Sequence, residues 1–538
     1  MKSDGKIRFF IIAVVCAIYA SLRFWHLTDS CLWFDEIFSI HAATLPWQNL
    51  FWFVAQDLIH PPLFYALLKI WISVSGENLF WLRFFPVLFS ILSIIPFLLL
   101  CRQLKLSFPT IALALTFFAV NGSLIKYSQE VRMYSLLLCF GLFSMWLFAR
   151  FLNSGKGFLF LIIVNILLIY THYFGWLIIA SEIFASAILA REKLKQILLM
   201  SFLSLLCFTP WIFAILQATK INSNVGQNIG WMTKPNLPAI FQFVFDLFEP
   251  IYFEQSNRDE PTIFLITLPI LIVGLISFGL YFVAWKSESR IEKRNFSLLL
   301  IFTFAPILSA FIASWILPYS IWGTRHLIIA FAPFGILLAI AFSKILTERR
   351  HPDDDSSQKI ISVPTLKTTF LLIIFLLFGA AFLLQATRAK PKYIWCAWGN
   401  LASSLLQTNN DLQQTNSGEP TKIYVFEDLV AYHFWFALRD AGKKFQIIKV
   451  NRIEGLTEDK AYFLPRGFDE IKSSESFEGE RFFVAFRAQD WNESAPPLQN
   501  LISKGYRIGE PQIFEAQGLR AFLVEIWKEQ QTYNSRLR

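Results

Sequence analysis

Residues 80–100 read FWLRFFPVLFSILSIIPFLLL, 21 consecutive residues with a single charge, Arg83. A helix of that length is about 30 Å long, the thickness of a bilayer's hydrocarbon core, and no soluble fold needs so long an uncharged run. Working outward from it, comparable runs fall at 7–24, 108–122, 132–150, 158–172, 174–190, 197–216, 261–285, 297–316, 326–344 and 368–386. Together they predict a polytopic α-helical membrane protein with about eleven transmembrane helices. The runs 158–172 and 174–190 adjoin with almost no loop. Pro61–Val74 is apolar but short and carries Lys69, which predicts a juxtamembrane or re-entrant helix rather than a crossing. Lys2, Lys6 and Arg8 ahead of the first run imitate a signal peptide. No small-residue cleavage site follows, and Arg23-Phe24-Trp25 reads as an interfacial anchor, so the run is kept as a span.

The positive charges test this layout, because a wrong number of spans would scramble their alternation. With the N-terminus inside, the stretches 1–8, 101–107, 150–157, 191–196, 286–294 and 344–367 are cytoplasmic and hold 19 Lys and Arg. The outer loops before residue 387 are about twice as long and hold six: Lys69, Lys126, Lys220, Lys234, Arg258 and Arg325. The net charge of +9 is therefore a topology signal and not a nucleic-acid footprint. His351–Lys359 reads as a charged cytoplasmic linker.

An odd number of spans places residues 387–538 outside, and there the composition changes to that of a soluble domain. Lys422–Phe426, Phe445–Val450 and Arg481–Phe486 read as strands, and Leu429–Asp440 and Leu498–Lys504 as helices, which predicts a small extracytoplasmic α/β domain. The chain so divides into a transmembrane domain, 1–386, with outer loops at 25–79 and 217–260, and the outer domain, 387–538. Of six cysteines only Cys31 and Cys396 face the oxidising side, and no pair has metal-ligand spacing. Two separate thiols are favoured over a disulfide between them.

Polar residues that a membrane protein should avoid collect on the outer side. Asp35-Glu36 lies among Trp33, Phe34 and Phe38, an apolar setting that holds a carboxylate close to lipid and suits it to base catalysis; the plain alternative is a helix-cap acid. His60-Pro61-Pro62 either starts a helix or supplies a metal ligand with those carboxylates. Arg83, Arg132 and Arg325 each end a span, where guanidinium groups bind phosphate or snorkel to headgroups. Tyr127, Gln129, Glu130 and His172 join them on that side.

In order along the chain stand Asp35-Glu36, His60-Pro61-Pro62-Leu63, Leu82-Arg83-Phe84-Phe85-Pro86, Tyr127-Ser128-Gln129-Glu130-Val131-Arg132-Met133-Tyr134, Thr171-His172-Tyr173-Phe174-Gly175 and Arg325-His326-Leu327-Ile328. In this the chain resembles the bacterial relatives of the protein O-mannosyltransferases and of the aminoarabinose lipid A transferase, over roughly residues 8–345. The resemblance implies the C-type glycosyltransferase membrane fold. It implies Asp35 as general base, with Glu36 assisting, and Arg83 as a ligand of the donor phosphate. Arg132, Arg325, Gln129, Glu130, His172 and Tyr127 would line the same cavity. His60 stands where lipid A transferases of this kind carry a metal-binding glutamate, so a divalent metal held by His60 with Asp35 or Glu36 is set beside no metal at all.

The expected activity is inverting transfer of a sugar, hexose, mannose-like or pentose, from a polyprenyl-phosphate donor to a lipid, glycan or protein acceptor. The expected place is the outer side of a bacterial inner membrane, with membrane lipids as partners. The alternatives are a transporter or flippase of a lipid-linked anion, which predicts ionisable residues at the bilayer midplane, and an envelope oligosaccharide ligase.

Overall fold

The computed structural model describes the chain except residues 1, 221–224, 231, 252–263, 348–362, 388–391, 413–419, 452–470, 517 and 529–538. The linker expected at 351–359 and part of the outer loop at 217–260 fall outside the described residues. The chain forms two compact units: Met1–Thr28, Ala42–Ser223 and Met232–Ala389 make the first, and Asp29–His41, Asn224–Trp231 and Lys390–Arg538 the second.

The first unit is helical. It begins with α1 (Lys2–Phe24), continues past α2 (Phe34–Thr44), which runs through the boundary between units, and then has α3 (Trp47–Asp57) and α4 (Leu63–Ser75). Next come α5 (Leu79–Leu92), α6 (Ile94–Gln103), α7 (Phe108–Val120), α8 (Gly122–Ser128), α9 (Tyr134–Ser154), α10 (Phe158–Thr171), α11 (Gly175–Leu189) and α12 (Leu194–Lys220). After α13 (Val225–Ile229), in the second unit, the first resumes with α14 (Leu237–Phe248), α15 (Phe264–Val283), α16 (Arg290–Ile316), α17 (Phe331–Thr347) and α18 (Val363–Thr387).

Every one of the eleven expected runs is helical. Among the described residues six, at 5–24, 79–103, 134–154, 191–220, 264–287 and 290–316, are long and apolar enough to cross a membrane by length and composition; the other five runs fall in apolar stretches of 10–17 residues, of which 372–387 is part of the longer α18. The run 80–100 is two helices because Pro96 has no N–H for the carbonyl of Leu92, and the ladder breaks at Ser93. Asn78 and Ser107 cap α5 and α7 by accepting from Phe80 and Thr110 amides, and a capping box of Ser289 with Glu292 starts α16.

Two buried polar groups hold the bundle. Arg23 departs from the anchor role expected of it: it is fully buried and donates to the carbonyls of Phe118 (3.1 Å) and Ala119 (2.5 Å). Those carbonyls lie in the last turn of α7, where no intrahelical partner exists, so the guanidinium does the work of a C-cap. The second is a ring between α9, α10 and α11. Ser144 Oγ lies 2.6 Å from Asn165 Oδ1 and 2.7 Å from Glu182 Oε1, while Asn165 Nδ2 donates 2.8 Å to Glu182 Oε2. The hydroxyl has one hydrogen for two acceptors, so the third contact closes only with a proton on the Glu182 carboxyl.

In the second unit the helices α19 (Ile394–Leu412), α20 (Asp428–Leu438) and α21 (Pro496–Ser503) pack on a sheet of β1 (Thr421–Val425), β2 (Phe445–Val450), β3 (Ile471–Ser474), β4 (Arg481–Ala488), β5 (Tyr506–Ile508), β6 (Gln512–Ala516) and β7 (Leu519–Lys528). The order is β3-β2-β1-β4-β7-β5, with β6 also on β7; β1 to β4 are parallel and β7 is antiparallel to its neighbours. Alternation along the strands sends Ile423, Val425 and Leu523 to one face, under Trp398, Leu401, Val430 and Phe434. Tyr424, Val484 and Val524 go to the other, under Leu498 and Leu501. A sheet covered on both faces is why Phe482–Phe486 is a continuous apolar run. The expected strands and helices of this region are present, and α19, β3, β5, β6 and β7 are additional.

Candidate active site

In the first unit the His60, Arg132, His172 and Arg325 regions converge. His60 precedes Pro61-Pro62, which start α4, and its Nδ1 lies 2.5 Å from Asp57 Oδ2 at the end of α3. Arg132, in the turn between α8 and α9, donates from Nη2 to His60 Nε2 at 2.9 Å and from Nη1 to the Tyr65 hydroxyl at 3.4 Å. A guanidinium only donates, so Nε2 accepts and Nδ1 carries the imidazole hydrogen toward Asp57. All three side chains are buried.

Next to this relay, the rings of His60 and His172 are 5.9 Å apart, and those of His172 and His326 5.4 Å apart. Tyr134 packs against both His172 and His326, and Tyr127 stacks edge-on to Tyr134 at 5.4 Å. His172 Nδ1 accepts from the Phe174 amide at 3.1 Å, which puts the hydrogen on Nε2. His172 is 3% exposed, and that Nε2 has no hydrogen-bond partner among the described residues. A buried donor left in that condition costs about 1–3 kcal/mol, and a ligand oxygen would relieve it. Arg132 reaches His60, whose ring neighbours that of His172, so a guanidinium stands close to this donor.

Arg325 follows Thr324, whose hydroxyl donates 2.7 Å to Asp246 Oδ2 on α14; Gln242 holds the other oxygen at 2.8 Å. A Cβ on Gly323 would sit 3.3 Å from the His326 ring, so glycine there permits the close packing. Glu130 is buried beside Arg132 in the chain. Two expected site residues have structural duties: Arg83 donates 2.9 Å to the carbonyl of Leu27, and Gln129 donates to those of Arg23 (3.1 Å) and Trp25 (2.6 Å). Both hold the turn that follows α1. Sequence reading missed Asp57, Tyr65 and Asp246, which belong to no motif.

The donor set at His60 is already committed within the protein. Both nitrogens of His60 are engaged, one by Asp57 and one by Arg132. Among the described residues no group of three or more His, Cys, Asp and Glu side chains could hold an ion.

Asp35 and Glu36 stand on the first turn of α2 in the second unit. Glu36 is fully buried and its Oε2 accepts from the Trp33 amide at 3.2 Å, the return half of a capping box, so it is the helix-cap acid. Asp35 is only partly buried. Its segment is tied to the rest of the unit by a disulfide, Cys31–Cys396, which corrects the expectation of two separate thiols. The Cα atoms are 5.5 Å apart although 365 residues separate them, a proximity that no spacing rule reveals. Farther along α2, His41 Nδ1 lies 2.8 Å from the Tyr432 hydroxyl, and its ring packs on Trp435.

Burial, aided by Arg439, holds the pKa of His41 down to about 4, and burial holds His433 down to about 4. Unfolded, both take a proton near 6.5. Below pH 6.5 the unfolded state binds protons that the folded state refuses, so the stabilisation is whole above 6.5 and is lost as pH falls toward 4. Thermal melts of this unit, followed by tryptophan fluorescence, are expected to shift steadily downward between pH 7 and 4.5; a flat profile would refute the account.

No family model and no curated protein sequence matches the chain. Solved structures do match. ArnT from Cupriavidus metallidurans bound to undecaprenyl phosphate superposes with a TM-score of 0.53 at 10% identity, over 97% of this chain and 98% of that one. The same protein in the apo state gives 0.52 at 11% identity, over 98% of each chain. Archaeal oligosaccharyltransferase AglB from Archaeoglobus fulgidus, in complex with an inhibitory peptide and a dolichol-phosphate, gives 0.51 at 12% identity over 96% of this chain and 74% of that one. At such identities the likeness is one of architecture, and the architecture is the one the motifs implied: this chain has the C-type glycosyltransferase membrane fold.

Proposed function

We propose that the chain is an inverting glycosyltransferase that moves a sugar, hexose, mannose-like or pentose, from a polyprenyl-phosphate donor to a lipid, glycan or protein acceptor. In this reading the N-terminus lies in the cytoplasm of a bacterium, the chain spans the inner membrane, and residues 387–538 lie outside. The observation that carries it is the buried Nε2–H of His172 beside the His60–Arg132 pair, a donor suited to an anionic oxygen. Undecaprenyl phosphate and dolichol phosphate, bound by two proteins of the same fold, are anions of the required kind.

The acceptor hydroxyl attacks the anomeric carbon opposite the phosphate. The bond from that carbon to the phosphate oxygen breaks, polyprenyl phosphate leaves with the electron pair, and a carboxylate takes the hydroxyl proton, the role that the resemblance assigns to Asp35. Arg132 and His172 stabilise the charge that develops on the phosphate, with Arg325 adding to the field, and Asp57 fixes His60, which in turn orients Arg132.

Arg132→Ala is expected to lower turnover by about 10²–10³-fold. Asp57→Asn, which acts through His60, should lower it about 10-fold. Initial rates at equal membrane levels measure both, and an Asp57 effect as large as that of Arg132 would make the relay itself catalytic.

The transporter reading has one observation in its favour, the ionisable Glu182 in the middle of α11. Both its carboxyl oxygens are occupied within the ring to Ser144 and Asn165, which favours a structural duty. The deciding experiment is transfer of label from a membrane pool of radiolabelled polyprenyl-phosphate sugars to endogenous acceptors, with and without the protein. Label that moves only with the protein supports the enzyme and identifies the acceptor. Label that crosses the bilayer on an unaltered donor supports transport.

A further inference from the structure

The acid-bearing segment of the first outer loop is built into the same compact unit as the C-terminal region. Three independent contacts fix it there. Cys31 is bonded to Cys396 at the start of α19; Phe34, beside Asp35, packs at a tilt against Tyr432 at 5.3 Å; and His41 meets both Tyr432 and Trp435 of α20. Tyr432 is fully buried, and its ring lies flat on Trp435 at 5.5 Å and 8°, so α20 offers a rigid aromatic platform. Between them, Cys31 and His41 bracket Asp35 on both sides.

We propose that this clamp is a positioning device for Asp35 that is completed only by oxidation, so that the chain gains activity after its C-terminal region has been exported and the Cys31–Cys396 bond has formed. The proposal rests on Asp35 being the base. The thiolate of one cysteine attacks a disulfide of an extracytoplasmic thiol–disulfide exchange protein, giving a mixed disulfide and releasing one thiol. The second cysteine's thiolate displaces the other, so the chain is oxidised by two electrons and the exchange protein becomes a dithiol. Synthesis places Cys31 outside long before Cys396. During that interval α2 has neither the bond nor the platform, and its acid is not held.

The four remaining cysteines, Cys16, Cys101, Cys139 and Cys207, are free thiols, so a mild reductant has this one disulfide to act on. The test compares the full-length protein in detergent, oxidised, treated with dithiothreitol, and as the double variant Cys31→Ser/Cys396→Ser. A further pair, His41→Ala and Tyr432→Phe, loosens the platform without touching the bond.

Two readouts are taken. Hydrogen exchange of the amides of 34–41 is expected to speed up about 10-fold or more on reduction and in the variants, while β1, β4 and β7 stay protected. Turnover is expected to fall about 10-fold or more with the KM for donor unchanged within about twofold, and to return when the reduced protein is reoxidised. Unchanged exchange in 34–41 overturns the clamp. Faster exchange with unchanged turnover overturns its positioning role. Faster exchange in a protein that transfers no sugar even when oxidised leaves the clamp in place and removes the transferase reading, and with it the proposed role for Asp35.

Discussion

Asparagine in place of Asp35 is expected to lower sugar transfer by about 10²–10⁴-fold while leaving the protein's abundance and melting behaviour as they were. The amide has the same shape and cannot take a proton from the acceptor hydroxyl. The informative control is its neighbour. Glu36→Gln keeps an oxygen able to accept from the Trp33 amide, so transfer should stay within about threefold of the parent. Initial rates of label transfer at matched membrane levels check both. If Glu36→Gln is the inactive variant and Asp35→Asn the tolerated one, the division of labour within the pair is reversed and the base has been misassigned.

The second large effect concerns stability. Glu182→Leu removes one side of the ring and takes from the buried Asn165 amide its oxygen acceptor, leaving it the Met200 sulfur and the Ser144 hydroxyl, at a cost of about 1–3 kcal/mol. Glutamine has the donor–acceptor pattern of a carboxyl that carries a proton: its amide N–H reaches Ser144 Oγ and its oxygen accepts from Asn165. Glu182→Gln should therefore stay within about 1 kcal/mol of the parent. Melting temperatures in detergent distinguish the outcomes. Equal losses from the two substitutions would mean that the ring carries no proton on Glu182.

These residues also show what the sequence could and could not disclose. The helical framework was legible because it is a one-dimensional property: a run such as 80–100 declares its solvent without reference to any other residue. The first strands of the C-terminal domain were legible for the same reason. The relay was only half legible. His60 and Arg132 stand in motifs, but Asp57 sits three residues before His60 as an ordinary acid at the end of α3, and nothing marks it until α3 and α4 are folded. Arg23 looked like an interfacial residue because it follows an apolar run next to Trp25, and only the folded chain brings it to the carbonyl end of α7. Cys31–Cys396 and His41–Tyr432 join residues separated by 365 and 391 positions. Proximity over such distances is set by the whole topology and leaves no local trace.

The second unit draws on three separated pieces of the chain, and this bears on how it can be handled at the bench. A gene fragment beginning at residue 390 would yield a half-cystine at Cys396 and leave Tyr432 and Trp435 without the residues of α2 that lie against them. Such a fragment should form disulfide-linked pairs and adhere to detergent or to itself. A recombinant C-terminal domain for ligand screening or crystallisation should therefore be made as a fusion, with residues 29–41 grafted ahead of 390 through a flexible connector.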